Sequence, residues 1–125
     1  MAASSNANRI KNEKRGHRAE TAALWLLRLK GYRLLARRFK SHHGEIDLIM
    51  RRGKTTAFIE VKARKTHDDA ITAVTTYQST RISAAASLWM AKDHIAAQSF
   101  CRFDIVAVNA YLWPKHIENA FFGDR

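Results

Sequence analysis

The chain has 125 residues, 46% of them hydrophobic, with 22 Lys and Arg against 11 Asp and Glu and a formal net charge of +11. That length and apolar content suit one domain with its own core and exclude a disordered chain. The lone Cys101 excludes an internal disulfide, and no apolar run is long enough to span a bilayer, so a cytoplasmic protein with no membrane partner is expected.

Residues 1–14 are small, polar and basic, and are expected to form a disordered tail ahead of a single domain over residues 15–125. A helix is predicted over residues 16–30, with Ala19, Ala22, Ala23, Leu26 and Leu27 at helical spacing and Gly31 as its stop. Three strands follow, at 32–39, 44–50 and 55–61. A loop separates the first two, a tight turn at Gly53 the last two, and together they read as an antiparallel meander. After a charged loop at 63–69, a second helix is predicted over 70–92. Its inner face reads Val74, Gln78, Ile82, Ala85, Ala86 and Trp89. Residues 100–108 read as a fourth strand, parallel to the third because a long helix joins them. Residues 111–113 suggest a short fifth strand, and Pro114 can open a last helical turn that packs Ile117, Phe121 and Phe122. Trp89 and Trp113 are expected in the core rather than stacked on bases. The order describes an α/β sandwich, a mixed sheet flanked by helices.

The chemistry concentrates in two strands. Gly44-Glu45-Ile46-Asp47-Leu48-Ile49 and Phe58-Ile59-Glu60-Val61-Lys62 each carry ionisable groups inside an apolar run. Side chains alternate along a strand, so Glu45 and Asp47 should share a face, as should Glu60 and Lys62. Charges in a core strand are costly unless paired or metal-bound. Two carboxylates and one ammonium converging on a sheet face suggest a site for hydrolysing phosphodiesters. Asp47 and Glu60 would hold Mg²⁺ or Mn²⁺, and Lys62 would orient or help deprotonate the attacking water. Glu45 is either a further ligand or the partner of an arginine at the strand mouth. The bland alternative for all of them is a structural set of ion pairs. His42-His43 invites a zinc reading, but no further Cys or His stands at ligand spacing, so a solvated loop is expected.

Asp47 followed by Glu60-Val61-Lys62, after a helix bearing Glu20, resembles the PD-(D/E)-x-K nuclease superfamily with its restriction-endonuclease-like core. The longer phrases Gly-Glu-Ile-Asp-Leu-Ile, Phe-Ile-Glu-Val-Lys-Ala-Arg and Arg102-Phe103-Asp104-Ile105-Val106 are similar to the YraN-like family of uncharacterised bacterial proteins. That family in turn is similar in fold to archaeal Holliday-junction resolvases. The resemblance runs from about Gly16 to Phe121 and departs at Ile46, where the superfamily's Pro is missing. It implies metal binding by Asp47 and Glu60, catalysis by Lys62, assistance from Glu20, and a place for Gln78 at the site edge. Asp104, with Arg102, is expected to be structural.

Together these features imply a metal-dependent nuclease-like domain acting on DNA ahead of RNA, branched and single-stranded forms included. The basic excess, with Arg51, Arg52, Arg64, Lys65 and Arg81 as candidates, would track the phosphate backbone. A homodimer is expected by analogy with resolvases. The rival is a non-catalytic nucleic-acid-binding module of a repair, recombination or DNA-uptake assembly. A third reading, an RNA- or ribosome-associated protein, rests on charge alone.

Overall fold

A computed structural model describes the backbone of residues 2–121 and, toward the N-terminus, side chains at Lys14 and from Gly16 onward. Helix α1 spans Ala2–Leu29. It therefore begins well before the expected start, and the stretch read as a tail has helical backbone. Ala, Lys, Arg and Glu are good helix formers, and extending an existing helix costs far less than nucleating one. The helix ends as its sequence dictates. Gly31 adopts a φ of 93°, its N–H reaches the Arg28 carbonyl at 3.0 Å, and the Tyr32 N–H reaches the Leu27 carbonyl at 3.0 Å. That pair of bonds is a Schellman closure, for which glycine is the low-strain residue.

The sheet has five strands in the order β1 to β5: Arg33–Lys40, Glu45–Arg52, Thr55–Ala63, Phe100–Val108 and Pro114–Ile117. The first three form the expected antiparallel meander, and β4 lies parallel to β3. α1 covers one face, where Ala23, Leu24 and Leu27 pack with Leu48, Met50, Ile59 and Val106. On the other face Ile82, Ala85, Ala86 and Trp89 pack with Ile46, Ile49, Phe58 and Phe103.

Two expectations are corrected. The second helix is interrupted: α2 spans His67–Thr72, α3 spans Thr76–Lys92, and a short α4 spans His94–Gln98. Thr75 caps α3, and Gln78 returns its side chain to the Thr75 N–H, forming a capping box. The chain end also differs. Pro114 opens β5, antiparallel to β4, instead of a helical turn, while residues 111–113 form the preceding turn. Proline is tolerated as the first residue of an edge strand because its missing N–H breaks no rung there. Trp113 is accordingly 70% exposed, whereas Trp89 packs edge-on against Phe39 at 5.4 Å. Phe121 joins the α3-side core, and Phe122 lies outside the described residues.

Asp104 behaves as expected of a structural residue. It is fully buried and accepts hydrogen bonds from Arg102 (2.8 Å), the His116 ring (2.8 Å) and the Asn119 N–H (2.9 Å). Burial pushes its carboxyl up, but the bonds from His116, Arg102 and Asn119 outweigh burial and hold it below the usual range.

Candidate active site

Asp47 stands where β2 and β3 separate. Their ladder runs from Arg52↔Thr55 to Leu48↔Ile59 and stops one residue short of Asp47. There the Asp47 carboxylate takes over from the backbone: its Oδ2 accepts the Val61 N–H at 2.8 Å. Strand alternation slips at the same point. Leu48 faces α1, whereas Ile46, two residues away, faces α3. Period-two reading across Asp47 therefore fails for Ile46 and Leu48. Opposite this segment, Arg38 of β1 adopts a φ of 55°, a strained angle for a residue with a side chain.

Glu60 and Lys62 do lie on one face, with the Lys62 Nζ 3.3 Å from the Glu60 Oε1 and both side chains largely buried. Glu60 and Asp47 are close enough for each to shift the other's protonation. Burial raises the Glu60 carboxyl to about 8, helped by the Asp47 charge, against the pull of Lys62. Burial likewise raises Asp47 to about 6, against the Val61 N–H and Lys62 and with a push from Glu20.

A cavity of about 320 Å³ opens beside this group, lined by Glu45, Glu60, Lys62, Tyr77, Gln78 and Arg81. Gly44 sets its geometry: any Cβ there would run into the Arg81 carbonyl, so only glycine lets β2 approach α3 this closely. Tyr77 and Gln78 belong to the first turn of α3, which turns the positive end of that helix toward the cavity.

The structure thus brings Asp47, Glu60 and Lys62 together and sets Glu45, Gln78 and Arg81 around the same cavity. Gln78 lines the cavity while its side-chain oxygen is spent on the Thr75 N–H, at 3.2 Å. Glu20 is close enough to couple to Asp47, but its carboxylate is held by Arg37 (3.3 Å) and Arg38 (3.2 Å). Among the described residues, no three His, Cys, Asp or Glu side chains converge as a metal cluster. Glu45 and Glu20 stand near the Asp47–Glu60 pair without closing such a cluster, and His42 and His43 are exposed on their loop.

The basic candidates divide. Arg64 and Lys65 are exposed just beyond β3. Arg51 does not fit its expected role: it is 5% exposed, bound to Thr56 at 3.0 Å and ion-paired with Asp93 at 3.1 Å. Arg52 lies at the β2–β3 turn, stacked over Tyr32 and bonded to the Lys30 carbonyl, at the opposite end of these strands from Asp47. Tyr77 was missed by sequence reasoning. It is 69% exposed with the Arg81 guanidinium 5.7 Å from its ring centroid. The signal available was a Tyr-x-x-x-Arg spacing at the start of a capped helix, which puts both on one face.

Among the described residues, no helix is long and apolar enough to cross a membrane. A family model described as "Uncharacterised protein family UPF0102" matches residues 19–108. The UPF0102 protein mlr4633 of Mesorhizobium japonicum is 47% identical over 123 residues, spanning 98% of each chain. A UPF0102 protein of Methylorubrum extorquens is 51% identical over 115 residues, spanning 92% of this chain and 90% of its own. UPF0102 protein R00337 of Rhizobium meliloti is 45% identical over 116 residues, spanning 93% and 95%.

Proposed function

The chain belongs to the uncharacterised protein family UPF0102, the YraN-like family, and we propose that it is a divalent-metal-dependent nuclease that hydrolyses phosphodiester bonds of DNA. The observation that carries this reading is the largely buried Asp47–Glu60 carboxyl pair with Lys62 3.3 Å from Glu60, beside a cavity that also holds Arg81. Burial raises both carboxyls, Glu60 to about 8, so Lys62 alone does not let the pair ionise together near neutral pH. A desolvated pair of this kind is costly in a structural role, and a bound cation would let both ionise. The charge and the oxygen donors suit Mg²⁺ or Mn²⁺, which two carboxylates hold when water and substrate phosphate complete the shell. Asp47 and Glu60 would hold the ion, and when bound it would neutralise the phosphate and lower the pKa of a bound water.

The chain's own residues prepare the rest. The Val61 N–H fixes the orientation of Asp47. Contact with Glu60 holds the Lys62 ammonium at the cavity, where it can donate to the attacking water or to a phosphate oxygen. Arg81 and the first turn of α3 favour an anion in the same space. Cutting both strands of a branched substrate needs two such sites, so a homodimer belongs to the same proposal.

The test is a cleavage assay on linear, single-stranded, flap and four-way-junction DNA, with matching RNA, in Mg²⁺, Mn²⁺ and EDTA. Metal-dependent cutting that disappears in folded Asp47→Ala and Lys62→Ala is expected. Cutting by Asp47→Ala at the wild-type rate would sink the assignment. Salt-sensitive binding without cutting, in wild type and variants alike, would favour a non-catalytic binding module.

A further inference from the structure

The turn between β4 and β5 presents three consecutive large apolar side chains: Tyr111 is 90% exposed, Leu112 38% and Trp113 70%. Scattered exposed apolar residues are ordinary, but a run of them held in one turn marks a contact surface. This turn is rigidly built. The Asn109 Oδ1 accepts the N–H groups of Tyr111 (3.0 Å) and Trp113 (3.1 Å), and the Asn109 N–H bonds back to the Trp113 carbonyl at 3.2 Å. The His67 ring lies 2.8 Å from the same carbonyl. Leu112 sits at a φ of 59°, where glycine would be unstrained. Nothing about such a turn requires aromatic residues for its own stability, since both rings point away from the core.

Its place in the sheet gives the rings a context. β3 and β4 run side by side to Ala63↔Val108, and the next rungs are the Arg64 N–H to the Val108 carbonyl and the Ala110 N–H to the Lys65 carbonyl. The turn therefore stands at the end of β3 that carries Glu60 and Lys62, flanked by the exposed cations Arg64, Lys65 and Lys115. Aromatic rings interleaved with cations bind single strands: bases stack on the rings while cations follow the phosphates. A duplex conceals its base faces and cannot use the rings.

We propose that Tyr111 and Trp113 form a base-stacking platform for an unpaired nucleic-acid strand, delivering it to the cavity beside Lys62. This deepens the nuclease reading and rests on it for the delivery, whereas the binding stands apart from cleavage. A bilayer interface would also accept Trp, Tyr and Lys. The shared strand end with a carboxylate pair favours nucleic acid, because a lipid surface has no use for that pair.

The experiment is fluorescence anisotropy of the full chain in EDTA with a single-stranded oligothymidine and a blunt duplex, alongside sedimentation with anionic phosphatidylserine vesicles. Trp113→Ala and Tyr111→Ala should each weaken single-strand binding roughly tenfold, with duplex binding changed by less than about twofold, while Trp113→Phe keeps most of the affinity. Circular dichroism identifies any variant that fails to fold, and the two alanine variants are independent of each other. Unchanged single-strand affinity in the folded alanine variants, or an equal loss on duplex, overturns the proposal. So does vesicle binding that depends on Trp113 while single-strand binding does not. A Trp113-dependent single-strand preference in a protein that cuts no substrate would keep the platform and remove the nuclease reading.

Discussion

Asp47 and Glu60 make the protonation of this site a property of the fold. Burial raises Asp47 from 3.8 to about 6 and Glu60 from 4.5 to about 8. A carboxyl whose folded pKa exceeds its unfolded value binds more protons in the folded state. Its stabilising effect is then greatest below the unfolded pKa and is lost as pH rises through the folded one. For this pair the window runs from about pH 4 to about pH 8. In EDTA, the wild type should therefore lose stability relative to Asp47→Asn/Glu60→Gln across that window, by several kcal/mol (roughly 1.4 kcal/mol for each pH unit by which a carboxyl is raised). Urea unfolding of both proteins at the two ends measures it, and a pH-independent difference would contradict the burial of the pair. Mn²⁺ should stabilise the wild type more at the alkaline end, because protons compete for the same oxygens, and should not stabilise the amide variant. At this scale the sequence was informative because ionisable groups in apolar strands are conspicuous. Glu20 was less legible: nothing near it in sequence announces that Arg37 and Arg38 fold back to hold its carboxylate. Tyr77 is an exposed aromatic on a helix, and its spacing to Arg81 is a weak signal that gains meaning only once the folded cavity is seen.

Among the elements, α3 carries two tasks on one turn. Gln78 closes the capping box and also lines the cavity. The substitutions Gln78→Glu and Gln78→Ala separate these tasks. Glutamate also completes a capping box, so Gln78→Glu should keep the thermal midpoint while its added negative charge weakens substrate binding. Gln78→Ala should lose roughly 1 kcal/mol of stability and retain binding wherever the protein is folded. Thermal unfolding and single-strand affinity on the same samples check both. If binding fell in step with stability for both variants, the cavity-facing position of Gln78 would have no consequence. The capping box was written in the sequence as Thr75-x-x-Gln78 but lay inside a longer helical periodicity, which concealed the break before it. The meander, the parallel β4 and the stop at Gly31 were all readable, because each depends on local pattern or on a connection length. β5 was not. A four-residue edge strand opened by proline takes its identity from pairing with β4, and no local signal competes with that.

Over the whole molecule, a net charge of +11 does not say which cations meet a phosphate backbone, and the fold sorts them. Arg51 is spent on Asp93, Arg102 on Asp104, and Arg37 and Arg38 on Glu20. Arg64 and Lys65 are exposed next to the β4–β5 turn and, among the described residues, make no ion pair with a carboxylate. A cation that touches a phosphate releases a counterion when the complex forms, so removing it lowers the dependence of affinity on salt. A cation already neutralised inside the protein contributes nothing to that dependence. The slope of log affinity against log salt for a single strand should therefore fall by about 0.7 for each of Arg64→Ala and Lys65→Ala. For Arg51→Ala the slope should stay unchanged while the urea midpoint falls, because the buried guanidinium bonds Thr56 and, after the Ala96 N–H, helps hold the Asp93 carboxyl low. Titrations at several salt concentrations, paired with unfolding curves, distinguish the two behaviours. A reduced slope for Arg51→Ala would place the nucleic acid at the β2–β3 turn, the opposite end of those strands from Asp47, and the carboxylate pair could then no longer be its site of attack.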